Sequence, residues 1–263
     1  MEILGYIASV FIGISLGLIG GGGSILTVPV LVYLFGVDAL LATTYSLFIV
    51  GTTSLAGSVS YFKQGLVDVR TAVVFGLPSI LSIWLTRTYI VPVLPDTVFT
   101  LGDFVVTKSL LLMLLFAVLM LFAAYSMIKP KKSNPTPTIP NANYAKVIMQ
   151  GFFVGVVTGL VGAGGGFLII PALVNILRLP MKTAVGTSLV IIAVNALIGF
   201  GFSLPHTTIY WTFLLTVAII AFVGIIIGTY LARKIDGKVL KPAFGWFVLA
   251  MGTYILLKEM LLK

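Results

Sequence analysis

The 263-residue chain is 59% hydrophobic and only 9% charged, with 16 Lys and Arg against 7 Asp and Glu. Its mean hydropathy of +1.18 and its low charge, against ~25% in soluble domains, exclude a protein dissolved in water. The net charge of +9 does not indicate nucleic acid, because the basic residues lie at the ends of apolar runs, where positive-inside bias accounts for them. With no Cys, neither a disulfide nor a thiolate metal site can form.

Taken in chain order, the sequence turns apolar at once. Glu2 is the only early charge, whereas a signal peptide carries a basic n-region. This segment also matches a later one, so it is read as part of the mature fold. The apolar run 3–35 is too long for one ordinary helix, and glycines 20–23 break it. The part after the break, 24–35, makes roughly 18 Å of helix, short of the ~30 Å hydrocarbon core. Runs over 40–62, 70–86, 104–128, 183–204, 209–232 and 242–257 predict spanning helices. A β-barrel would instead show alternating segments of ~10 residues. From Lys129 the chain carries four prolines in polar filler, which predicts an extended linker. The organisation expected is a first transmembrane repeat over 1–128, a cytoplasmic linker over 129–145, and a second repeat over 146–263.

The halves are related. Gly17-Leu-Ile-Gly-Gly-Gly-Gly-Ser-Ile-Leu-Thr-Val-Pro29 aligns with Gly159-Leu-Val-Gly-Ala-Gly-Gly-Gly-Phe-Leu-Ile-Ile-Pro171 at an offset of 142. The same offset pairs Ala42 with Ala184, Ser46 with Ser188, Leu55 with Leu197 and Gly57 with Gly199. Generic apolar likeness explains matched Leu and Val, but not a glycine cluster with a proline at one fixed distance, twice.

Two topologies compete. If each broken segment crosses once, the repeats are parallel, and Lys and Arg divide eight to eight. If each enters and returns, the repeats are inverted. The inside loops then hold Lys63, Arg70, Lys129, Lys131, Lys132, Lys146, Arg178, Lys182, Arg233, Lys234, Lys238 and Lys241, leaving Arg87, Lys108, Lys258 and Lys263 outside. Twelve against four obeys the positive-inside rule. The fold expected is therefore an all-α polytopic membrane protein of two inverted repeats, each a Gly-broken re-entrant or half-helix segment plus three transmembrane helices, with both termini outside.

Broken helices at matching positions mark binding sites in secondary transporters. A helix starting at such a break offers free N–H groups and partial positive charge, which suits an anion. The alternative for these glycines is close helix packing. The candidate substrate contacts are Gly22, Gly23 and Ser24, with Gly164, Gly165 and Gly166. Ser46, Thr52, Thr53, Ser188 and Asn195 would line the path. Ser and Thr can satisfy themselves on their own helix, but an Asn amide in hydrocarbon needs partners or a cavity.

No Asp, Glu, Lys or Arg is expected at membrane depth, with Arg87 and Lys108 snorkelling from helix ends. Asp38 and Asp68 are expected solvated at loop edges. The missing carboxylate argues against cation transport and a protein-borne proton relay. It fits an anion moving down its own gradient or carrying its own proton. The single His, His206, lies beside Pro205 and reads as a loop residue, which leaves an intramembrane Ser protease built on Ser24 without its base. No metal, cofactor or catalytic set is expected, and the partners implied are a small anion and the bilayer.

The two glycine–proline elements, each followed by Ala-x-x-x-Ser (Ala42 to Ser46, Ala184 to Ser188), resemble the sulfite exporter TauE/SafE family over nearly the whole chain. The resemblance implies a cytoplasmic-membrane transporter, an exporter of a small sulfur-containing anion such as sulfite or an organosulfonate. Ala163 departs from the pattern where the first run has Gly21, which implies unequal half-sites. A channel-like anion pore and a non-transporting membrane scaffold are the alternatives.

Overall fold

The computed structural model describes residues 2–95, 97–101, 104–128, 144–162, 164–175, 177–235 and 237–261. Its elements are α1 (Glu2–Ile19), α2 (Gly22–Tyr33), α3 (Ala39–Lys63), α4 (Val69–Leu85), α5 (Val91–Val93), β1 (Thr97–Leu101), β2 (Phe104–Thr107), α6 (Lys108–Ile128), α7 (Tyr144–Val161), α8 (Gly166–Asn175), α9 (Met181–Ser203), α10 (Trp211–Lys234) and α11 (Gly237–Leu261). The expected linker falls outside the described residues as far as position 143, as does Ala163.

Among the described residues, five helices are long and apolar enough to cross a bilayer: Ala39–Lys63, Val69–Val93, Lys108–Tyr125, Met181–Ser203 and Trp211–Ala232. Large apolar side chains stand exposed on their outer faces, among them Leu77, Phe122 and Ile219 at 64–69%. Such a belt suits lipid, not water.

Two local expectations change, and the loop-edge Asp38 and Asp68 gain a role. The run ending at 86 continues through a π-turn (Thr86–Ile90) into α5, so Arg87 lies inside a 25-residue apolar helix. Residues 104–107 pair with β1 as an antiparallel hairpin, Leu101 opposite Phe104. The β-branched and aromatic residues of TVFTL and FVVT favour strand. Asp38 and Asp68 are helix caps: Asp38 accepts from the Leu40 N–H at 2.9 Å, and Asp68 from the Thr71 N–H at 3.1 Å and the Thr71 hydroxyl at 2.9 Å. Each satisfies donors a helix start leaves open.

Helices exchange partners between the halves. α1 packs along α10, α7 along α4, α3 along α9, and α6 along α11. Glycine makes these approaches possible. A Cβ at Gly13 would strike Ala221 O, and one at Gly17 the backbone at Gly228 and Thr229; Gly224 and Gly228 are equally closed by α1. In the second half, Gly151, Gly155 and Gly159 of α7 lie on Phe75 and Ser79 of α4 and on Thr86 of the π-turn that follows. In both pairs residue numbers rise together, so the helices run parallel. The α3–α9 pair is the reverse. Gly51 meets Leu197, Gly57 meets Leu189, and Gly186 meets Tyr61, so these two repeat mates run antiparallel. Close packing of this kind also involves glycines outside the breaks, on α1, α7 and α10.

Candidate substrate site at the two glycine breaks

Each broken segment ends its first helix alike. Gly20 has φ +74° and Gly162 φ +72°, the left-handed conformation that glycine enters without penalty. The Gly20 N–H donates to Leu16 O at 2.7 Å and the Gly162 N–H to Thr158 O at 2.8 Å, again an offset of 142. The short helices then fold back. Gly23 of α2 packs on Ile12 and Leu16 of α1, and Gly165 packs on Val154 and Thr158 of α7.

The two breaks meet. A Cβ at Gly21 would collide with the backbone of Gly166, and one at Gly166 would lie 2.7 Å from Gly21 Cα and 3.2 Å from Ser24 Oγ. The starts of α2 and α8 are therefore in backbone contact. Gly21 caps α2 without a side-chain hydrogen bond, so its first N–H groups keep their partial positive charge. Val50, Ile192 and Ala196 close in on Gly164, with Val50 3.0 Å and Ile192 3.1 Å from where a Cβ would sit.

Around this shared backbone the chemistry differs. Ser188 lies against Gly20 with its hydroxyl 3.5 Å from Gly20 O and donating to Val185 O at 2.9 Å. Thr43 lies against Gly162, and Arg87 reaches it. The Arg87 guanidinium is buried at 4% exposure, with Nη2 3.3 Å from Thr43 Oγ1 and Nη1 3.4 Å from Ser203 Oγ. Arg87 Nε, Thr86 Oγ1 and Thr158 Oγ1 are buried without partners.

The family profile described as sulfite exporter TauE/SafE matches residues 5–255. The chain belongs to the sulfite exporter TauE/SafE family. A probable membrane transporter protein of Xylella fastidiosa is 29% identical over 256 residues, covering 93% of this chain and 91% of that protein. The probable membrane transporter YunE of Bacillus subtilis is 28% identical over 236 residues, with 84% and 85% covered. A third, MJ0441 of Methanocaldococcus jannaschii, is 36% identical over 115 residues, covering 41% of this chain. The family makes the chain a membrane transporter, and its five apolar helices are long enough to cross a bilayer.

Of the residues singled out in this TauE/SafE chain, Ser24 and Gly166 meet at the centre, Gly164 borders them, and Ser188 lies at Gly20. Ser24 donates to Gly21 O at 2.7 Å. Gly22 opens α2, while Gly23 and Gly165 serve the turn-back packing. Ser46 is fully buried and its hydroxyl has no partner. Thr52 and Thr53 bond their own helix, to Phe48 O and Ile49 O. Asn195 points elsewhere: Nδ2 donates to Ser79 Oγ of α4 at 2.6 Å, and Oδ1 lacks a partner. It borders a cavity of about 200 Å³ between α4 and α9, walled by Leu77, Val190 and Val194.

Arg87 contradicts the expectation that no charge lies at membrane depth, and a second charge, Glu259, is buried in the protein. Arg87 does not snorkel, because the helix carries on past it and holds the guanidinium between α3 and α9. The cue was there: Tyr89–Val93 is again apolar, so the charge is internal to a run. Glu259 is 5% exposed and accepts from the Tyr33 hydroxyl at 2.8 Å, with Lys258 Nζ 3.6 Å from the Tyr33 ring centroid. A buried carboxylate therefore exists, which removes the argument from its absence. It sits at the far end of α2, about 16 Å of helix from the break.

Proposed function

We propose that this chain is a secondary carrier of a small sulfur-containing anion, such as sulfite or an organosulfonate, in the prokaryotic cytoplasmic membrane. The observation that carries the reading is the contact between the starts of α2 and α8 at Gly21 and Gly166. Two helix starts at one point, in protein that excludes water, attract negative charge and repel cations. Irregular backbone within a membrane protein needs protein or a wet cavity around it, and here packed protein surrounds both breaks.

The antiparallel run of α3 and α9, the matching left-handed glycines, and the partner exchange of α1 and α7 support inverted repeats. Two such halves rocking about a central site give alternating access. Export is the direction the family description favours.

Counterflow of labelled sulfite, with sulfoacetate as competitor, in proteoliposomes holding the full chain tests this. Saturable, competed counterflow is expected. Flux that rises linearly with concentration and shows no counterflow would make it a pore, and no flux with any sulfur anion would end the reading as a sulfur-anion transporter. Single cysteines at Lys182 and at the C-terminus should label from opposite sides of the membrane. Labelling from one side would sink the inverted arrangement.

A further inference from the structure

We propose that Arg87 is the charged group that recognises the anion, in a site on the second break that the first break lacks. The proposal rests on the carrier reading and names the residue that would give it specificity.

A buried guanidinium needs a negative partner or full hydrogen bonding. Among the described residues Arg87 has no carboxylate partner, and its two contacts are neutral hydroxyls at 3.3 and 3.4 Å, longer than ordinary N–H···O bonds. Those hydroxyls are already committed as donors: Thr43 Oγ1 gives its proton to Leu40 O at 2.7 Å, and Ser203 Oγ to Gly199 O at 2.9 Å. Toward Arg87 they can only accept. They steady the two terminal nitrogens and leave Nε–H, which has no partner, free to donate. The planar guanidinium matches a compact oxyanion better than a spherical ion does, since it can donate two parallel hydrogen bonds.

The neighbourhood points the same way. Thr43 lies on Gly162, Thr86 on Gly159 and Thr158 on Gly165, so the Arg87 contact and two unpartnered hydroxyls flank one stretch of backbone. At the offset of 142 the first break has Val185, Gly228 and Leu16 in their places. It has Thr229 in place of Arg87, bonded to Ile225 O at 2.9 Å, and Tyr61 in place of Ser203, bonded to Gly17 O at 3.1 Å. A charged and under-satisfied second break faces a neutral first one whose Thr229 and Tyr61 hydroxyls are bonded.

Thermal unfolding of the detergent-solubilised full chain, titrated with sodium sulfite, sodium sulfate or sodium chloride at matched ionic strength, is the test. Sulfite should raise the wild-type melting temperature saturably, and chloride should do so only weakly. In Arg87→Gln the sulfite midpoint should move up roughly ten- to hundredfold, the loss of one or two charge-assisted bonds. Arg87→Lys should fall between, because it keeps the charge and loses the fork. Thr43→Val, which cannot accept from Nη2, should weaken the response in the same sense and serves if the Arg87 variants do not fold. Folded variants that respond like wild type would overturn the proposal, as would a wild type that no oxyanion stabilises. Counterflow separates the two claims. An Arg87-dependent melting shift without sulfite counterflow keeps the site and removes the carrier. Counterflow with an unchanged half-saturation in Arg87→Gln keeps the carrier and removes the site.

Discussion

The two glycine breaks share a backbone and differ in what surrounds it. Both end a helix at a left-handed glycine, Gly20 or Gly162, and both fold a short helix back onto the one before. The first is closed by Val185, Leu16 and the satisfied hydroxyls of Tyr61 and Thr229; the second by Thr43, Thr158, Thr86 and Arg87. The two breaks share backbone geometry and close approach, and they differ in the side chains packed around them. Ala163, on which the expectation of unequal half-sites rests, lies outside the described residues; the inequality seen is in the residues that pack around each break.

The comparison breaks most severely through the glycines. Gly162→Ala would force a Cβ into the Thr43 backbone at positive φ. Strain and overpacking together cost about 2–5 kcal/mol, read as a drop in melting temperature with loss of flux. Gly20→Ala meets a Ser188 hydroxyl and a Val185 methyl as well as backbone, so its loss should be similar or somewhat smaller.

Arg87→Met acts in the opposite sense. Replacing an unpaired buried cation by an apolar side chain should stabilise the anion-free protein by about 1–3 kcal/mol while abolishing its response to sulfite. Thermal melts with and without anion check both halves, and a destabilised Arg87→Met would show that the two hydroxyl contacts outweigh desolvation.

Asn195→Leu should cost about 1 kcal/mol, one net hydrogen bond, because Ser79 keeps its own bond to Gly76 O at 2.9 Å. If Asn195 lines the path, counterflow slows while the sulfite-dependent melting shift stays in place. The smallest effects compare Ser188 with Ser46. Ser188→Ala should lose about 0.5–1 kcal/mol, whereas Ser46→Ala removes a hydroxyl without a partner and should change stability little.

Most of the fold was legible because the bilayer leaves few options. Apolar runs long enough to span became α3, α4, α6, α9, α10 and α11, and the glycine–proline elements marked both breaks. The helix start at 104 was misread because β-branched residues are as apolar as helix formers, so hydropathy cannot separate strand from helix in a short stretch. The candidate site was half legible. Backbone residues at the breaks can be read from glycine, and Ser24, Gly166 and Ser188 fall where the repeat puts them. Asn195 was read as lining the path from its mid-helix position, which does not fix the neighbour it faces; its amide donates to Ser79 Oγ. Arg87 was taken for a helix end because a charge stops an apolar run when runs are counted, while a helix does not stop there. Its role depends on Thr43 and Ser203, 44 and 116 residues away in sequence, a proximity no local pattern encodes.

The central claim, an anion carrier whose second break holds the anion, is tested most directly by sulfite counterflow in proteoliposomes with two variants at equivalent positions, Arg87→Gln and Thr229→Val. Saturable counterflow in wild type is expected, with half-saturation raised about tenfold or more in Arg87→Gln and within about twofold of wild type in Thr229→Val. Equal effects at the two positions, or no effect at Arg87, would contradict it.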